Sequence, residues 1–340
     1  MTSVYSNRAI AYWLFVVAFM VFVMVVLGGV TRLTHSGLSM VEWRPLTGWL
    51  PPMSDVVWED IFAKYREFPE YRENNYGMTL TEFKGIFWLE FLHRLWGRVI
   101  GLAFFLPFVF FLLKGQIRGR LVGHMIALFV LGGLQGGLGW FMVKSGLVDR
   151  PDVSQYRLAA HLCLALVIYG YLIWVALALN KETEANNLPS WAGKIGLCLT
   201  ALIFVTAFSG ALVAGLDAGL VYNTFPLMDG ELIPGGLLSM DPWYLNFFES
   251  IMTVQFTHRL MAITTFLAVG ISWVLVSKRD LSTRQKGPIN YLLAMVFIQA
   301  GLGIATLLMA VPVTLGALHQ AGAVILLGLS VWTAYSLRNN

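Results

Sequence analysis

Four histidines hold equivalent places in a very apolar chain. His93, His161, His258 and His319 each lie close to the start of every second hydrophobic stretch. The first and third sit in matching phrases, Phe91-Leu92-His93-Arg94 and Phe256-Thr257-His258-Arg259. Imidazole is costly in lipid, and a ring facing a helix bundle's interior usually has a partner there. Two imidazoles per bundle on separate helices suit axial ligation of the iron in a flat macrocycle, a heme. Zinc asks for four close ligands, or three plus water, whereas only one carboxylate, Glu90, and no cysteine falls near these rings. Cys163 and Cys198 stand alone inside apolar segments, outside any CxxC or other ligand spacing, and are read as packing residues.

Glu90 precedes His93 by three residues, on the same helix face. The matching position before His258 is Gln255, so the halves share the histidines and differ at one protonatable group. Two readings stand: a structural carboxylate paired with Arg94 or Arg98, or a catalytic group present in the first half only. Arg94 and Arg259 follow ligand histidines, where a guanidinium can grip a propionate bidentately or serve packing and lipid headgroups. His35 and His124 read as a loop histidine and a histidine at a helix end.

Elements of membrane-crossing length must carry these groups. Of 340 residues, 57% are hydrophobic and 12% charged, the composition of a polytopic membrane protein. Apolar runs at 10–30, 87–113, 121–143, 157–179, 192–215, 251–277, 289–310 and 314–337 predict an all-α integral membrane protein of eight transmembrane helices. The last two form a tight hairpin around Pro312. The first run is too long for a signal-peptide core and is read as a retained span. Lys114, Arg118, Arg120, Lys181, Lys194, Lys278, Arg279, Arg284 and Lys286 lie in alternate loops, which predicts cytoplasmic termini and a bacterial inner-membrane location. The net charge of +4 follows from those loops and calls for no nucleic-acid partner. A long outer loop, about 31–86, follows the first span.

A repeat relates the halves. Gly37-Leu38 with Pro45-Leu46 resembles Gly219-Leu220 with Pro226-Leu227, and Leu134-Gln135-Gly136-Gly137-Leu138-Gly139 resembles Ile298-Gln299-Ala300-Gly301-Leu302-Gly303. Four helices per half make the repeat parallel, unlike the inverted repeats common in transporters. Two pseudo-symmetric four-helix bundles, 1–180 and 190–340, are expected, with ligands built from facing helices. The glycines, among them Gly28, Gly132, Gly137 and Gly303, allow close helix approach and leave room for a flat ligand.

At these residues the chain resembles the heme A synthase family, in its alphaproteobacterial and mitochondrial form. The carriers are Gly28-Gly29-Val30-Thr31-Arg32-Leu33-Thr34 with Ser36-Gly37-Leu38-Ser39, then Glu90-Phe91-Leu92-His93-Arg94, Ala160-His161, Gln255-Phe256-Thr257-His258-Arg259 and Leu318-His319-Gln320. The resemblance implies oxidation of the C8 methyl of heme O to a formyl group, giving heme A for cytochrome c oxidase. It implies that His93 and His161 hold the substrate heme, that His258 and His319 hold a heme b cofactor, and that Glu90 is the essential acid, as a general base or by stabilising a cationic intermediate. An electron-transfer partner, the heme O synthase and oxidase assembly factors are the implied partners, beside membrane lipid. Some bacterial members carry a cysteine pair in the first outer loop; this chain has none. The rival readings are a non-catalytic di-heme b-type electron carrier, which gives no reason for Glu90 opposite Gln255, and a heme transporter.

Overall fold

In lipid an apolar segment can satisfy its backbone polar groups internally only as a helix or a closed barrel. The computed structural model describes residues 4–43, 48–146, 153–180, 190–279 and 281–338, and it is helical. The helices are α1 (Val4–Leu33), α2 (Asp55–Tyr65), α3 (Pro69–Glu73), α4 (Leu80–Leu113), α5 (Arg120–Gly146), α6 (Gln155–Leu179), α7 (Ser190–Gly215), α8 (Asn246–Glu249), α9 (Ile251–Ser277), α10 (Thr283–Leu308) and α11 (Val313–Leu337). Among the described residues, eight are long and apolar enough to cross a membrane: α1, α4, α5, α6, α7, α9, α10 and α11. Large side chains such as Phe19, Leu106 and Phe297 are exposed along them, as befits a chain whose solvent is lipid. The expected all-α membrane architecture is therefore present. The expected Pro45-Leu46 part of the loop repeat and Lys181 lie outside the described residues.

The loop between α1 and α4 holds structure that apolar length alone does not reveal. Ser54 caps α2 by accepting from the Val57 amide at 3.4 Å, and Pro69 opens α3, where its missing N–H costs nothing. Trp58, Phe62 and Tyr65 fall at helical spacing on one face of α2 and pack on Phe83, Phe87 and Phe91 of α4. The fourth helix starts at Leu80 rather than near 87, because Thr79 and Glu82 form a capping box there. Its first turns thus form the floor of an aromatic cap. Burial, and next the charge of Glu70, push the Tyr65 phenol above its usual range; Asn75 donates to its oxygen at 2.8 Å.

The expected hairpin between the last two spans is present. Pro312 caps α11, and Ala310 and Val311 turn the chain with φ of 54° and 55°. The Val311 amide closes the turn on the Thr306 carbonyl at 2.8 Å. By internal packing the chain divides into two compact units, Val23–His161 and Met1–Phe22 with Leu162–Asn340. His93 and His161 belong to the former, His258 and His319 to the latter.

Candidate functional site

In the unit Val23–His161, α4 carries His93 and α6 carries His161, and the two rings are close enough to interact electrostatically. Each lies against bare helix backbone. A Cβ added at Gly28 of α1 would sit 3.3 Å from His93 Nε2, and one at Gly139 of α5 would sit 2.9 Å from His161 Cε1. Gln135, one turn before Gly139, donates from Nε2 to the His161 carbonyl at 3.0 Å. The Nδ1 of His161 and the Oε1 of Gln135 are buried with no hydrogen-bond partner.

The other unit shows the same construction. His258 of α9 and His319 of α11 are electrostatic neighbours. A Cβ at Gly210 of α7 would lie 3.0 Å from His258 Cε1, and one at Gly303 of α10 would lie 2.8 Å from His319 Cε1. Gln299 donates to the His319 carbonyl at 3.0 Å, and its Nε2 lies 3.1 Å from the ring Nδ1. Its Oε1 is buried without a partner. One contact has no mate in the first unit: Ser209 Oγ lies 2.8 Å from His258 Nδ1.

These features fit a heme. Two donors per site suffice for a porphyrin iron, and among the described residues no group of three or more His, Cys, Asp or Glu gathers to hold a bare ion. Each ring stands where any side chain on the facing helix would crowd it. The Nδ1 of His161 is buried without a partner, and a buried polar atom without a partner calls for an explanation.

Glu90 is 2% exposed, and both of its oxygens are engaged. Oε2 accepts from Ser39 Oγ at 2.8 Å and from the Met40 amide at 2.7 Å; Oε1 pairs with Arg94. Arg94 also donates to the carbonyls of Met40 at 2.9 Å and Glu42 at 3.1 Å. Of the two arginines expected as partners for Glu90, Arg94 fills that place. The carboxylate is thus the anchor that ties the loop after α1 to α4. Gln255 anchors the loop after α7 with opposite polarity: its Nε2 donates to the Ala218 carbonyl at 2.9 Å, while Arg259 donates to the Tyr222 and Thr224 carbonyls at 2.7 and 2.8 Å. Both loops present carbonyls to the arginine; to the residue four before it the first loop offers donors, matched by a carboxylate, and the second a carbonyl, matched by an amide. Both guanidinia expected near propionates are occupied by loop carbonyls. His35 is exposed in the turn after α1, and His124 is exposed in the first turn of α5. Cys163 is partly buried and Cys198 exposed.

Four kinds of residue at the site escape a reading of the sequence alone. Gly303 reads there as a packing glycine and Gly139 as part of the repeat, but nothing marks them, or Gly210, as the ones facing imidazoles. The two glutamines are visible as repeated letters with no assigned task. The Ser39–Met40 anchor is some fifty positions from Glu90 along the chain, and Ser209 carries no signal beyond its place beside Gly210.

Comparison with known proteins identifies relatives of the whole chain. The COX15-CtaA family model, described as cytochrome oxidase assembly protein, matches residues 11–331. A protein of Nitrosospira multiformis named heme A synthase is 52% identical over 335 residues, covering 98% of this chain and 94% of that one. One of Parvibaculum lavamentivorans with the same name is 51% identical, covering 98% of this chain and 95% of its own. The Arabidopsis thaliana protein named heme A synthase COX15 is 47% identical, covering 98% of this chain and 75% of its own length.

Proposed function

The chain belongs to the COX15-CtaA family of cytochrome oxidase assembly proteins, and from that premise we propose that it is a heme A synthase, an oxidoreductase that converts the C8 methyl of heme O to a formyl group. The observation that carries the reading is the doubled construction of imidazole against glycine, in a chain about half identical to proteins of that name.

His93 and His161 are the residues that would hold substrate heme O, and His258 and His319 those that would hold a resident heme b. The halves 1–180 and 190–340 are then the substrate and cofactor bundles. A heme b held by His258 and His319 would supply one-electron redox chemistry. The protein's own residues bind, orient and seal. The bare backbone at Gly28 and Gly139 leaves the substrate rings room to turn, and the aromatic cap of α2 and α3 covers the outer end of α4. Methyl oxidation takes place at the porphyrin edge and releases protons. Glu90 is three residues from His93 but already accepts from Ser39, Met40 and Arg94. Those contacts favour the role of a fixed negative charge that stabilises developing positive charge, more than that of a freely accepting base.

Both termini lie on the cytoplasmic side of a bacterial inner membrane in this reading, supported by the basic loops. A heme O-producing enzyme must supply the substrate, and an electron acceptor and the oxidase assembly apparatus must take the products. Expression of the chain in a host that makes heme O but no heme A tests the proposal. Heme A should appear by mass in extracted pigment; heme O left unconverted beside bound heme b would reduce the chain to a carrier.

A further inference from the structure

The two units differ at the atoms behind the rings. Ser209 Oγ donates its single hydrogen to the Thr206 carbonyl at 2.7 Å. With its hydrogen on that carbonyl, its oxygen meets the His258 Nδ1, 2.8 Å away, as an acceptor. That fixes the hydrogen on Nδ1 and leaves the lone pair on Nε2, the arrangement a metal-ligating histidine needs.

The first half lacks this device. Gly28 and Gly210 are the glycines facing His93 and His258. The turns after α1 and α7 confirm that register: the His35 amide bonds the Arg32 carbonyl and the Asp217 amide the Ala214 carbonyl, and His35 and Asp217 share φ of 49°. The residue before Gly28, matching Ser209, is Leu27, which offers no side-chain acceptor. His93 turns Nε2 toward Gly28, whereas the other three rings present Cε1 to their glycines. The Nδ1 of His161 is buried without a partner.

We infer that Ser209 is a positioning residue that locks His258 for a permanently held heme, and that Leu27 in its place leaves the first half's heme free to exchange. This rests on the reading that the second half holds the resident cofactor and the first the substrate. The chemistry requires that difference: a substrate must enter and leave in every turnover, whereas a cofactor must stay. A hydrogen bond from Nδ1 raises the basicity of Nε2 and restricts the ring, and losing such a partner weakens metal affinity by roughly 10- to 100-fold.

The test uses the full-length protein purified with heme b, with apomyoglobin as heme acceptor. Ser209→Ala should speed loss of heme b by about 10- to 100-fold, raise its reduction potential and alter its ferric low-spin EPR signature. Ser209→Thr, which keeps the oxygen, should restore all three. Leu27→Ser should slow release of heme from the first half. Wild-type heme retention, potential and EPR in Ser209→Ala would overturn the inference, as would a Ser209→Thr variant as defective as Ser209→Ala. His258→Ala is the discriminating control. If it loses heme b while Ser209→Ala does not, the inference alone fails; if it retains heme b in full, the assignment of the cofactor half fails and the inference with it.

Discussion

Adding one methyl group opposite an imidazole should separate the two heme sites. In Gly303→Ala the new Cβ would lie 2.8 Å from His319 Cε1, and in Gly139→Ala 2.9 Å from His161 Cε1. Carbon atoms prefer about 3.5–4.0 Å, so the ring must move by several tenths of an ångström or more. Without heme it can swing aside, and the fold should survive. Once the ring is held by iron on one side and its helix on the other, the conflict has no cheap relief. Overpacking of this kind costs about 1–3 kcal/mol, which at about 1.36 kcal/mol per tenfold predicts heme binding weakened by roughly 5- to 150-fold. Gly210→Ala at 3.0 Å should fall somewhat lower, and Gly28→Ala at 3.3 Å lowest. The assay is heme titration of detergent-purified protein with a parallel Tm, using Gly136→Ala and Gly301→Ala as controls, where an added Cβ meets nothing within 4 Å. Gly303→Ala should lose heme b selectively and Gly139→Ala the substrate heme. Unchanged affinity in both, or equal losses in the controls, would refute the reasoning.

Three further outcomes follow from the same structure. Glu90→Gln should leave heme bound and halt conversion, while the first loop loosens because an amide cannot pair with Arg94 as a carboxylate does; wild-type heme A output from this variant, read by mass, contradicts a charge-stabilising role. Phe83→Ala, at the centre of the aromatic cap, should cost about 3–5 kcal/mol and expose α2 and α3 to limited proteolysis. Tyr65 has its folded value raised by burial first and by Glu70 next, so its contribution to the cap is complete below the phenol's ordinary value of about 10 and declines as pH rises beyond it; amide protection factors in α2, corrected for the intrinsic pH dependence of exchange, should fall only above that point.

Much of this molecule is legible in its sequence, for identifiable reasons. A span needs only length and apolarity, so eight of them could be read from hydropathy, and the histidines stand out because imidazole is rare in such surroundings. A threshold on apolar length nevertheless discounts a helix start that carries Glu82 and Lys84, and it passes over the Trp58, Phe62 and Tyr65 stripe because α2 is short. The remainder depends on tertiary contact. Which glycine faces which ring, that Ser39 and Met40 reach Glu90, and that Ser209 stands behind His258 are facts of helix rotation and loop closure, which no local pattern encodes. The Glu90–Gln255 difference is plain as letters, yet its basis, loop donors facing Glu90 and loop carbonyls facing the Gln255 amide, is not.

The most direct test is mass-resolved pigment analysis of His161→Ala and His319→Ala purified from a host that makes heme O but no heme A. One porphyrin per imidazole pair predicts that His161→Ala keeps heme b and carries neither heme O nor heme A, whereas His319→Ala loses heme b and still takes up heme O. Both pigments vanishing from a single variant, or neither changing, would contradict two separate sites.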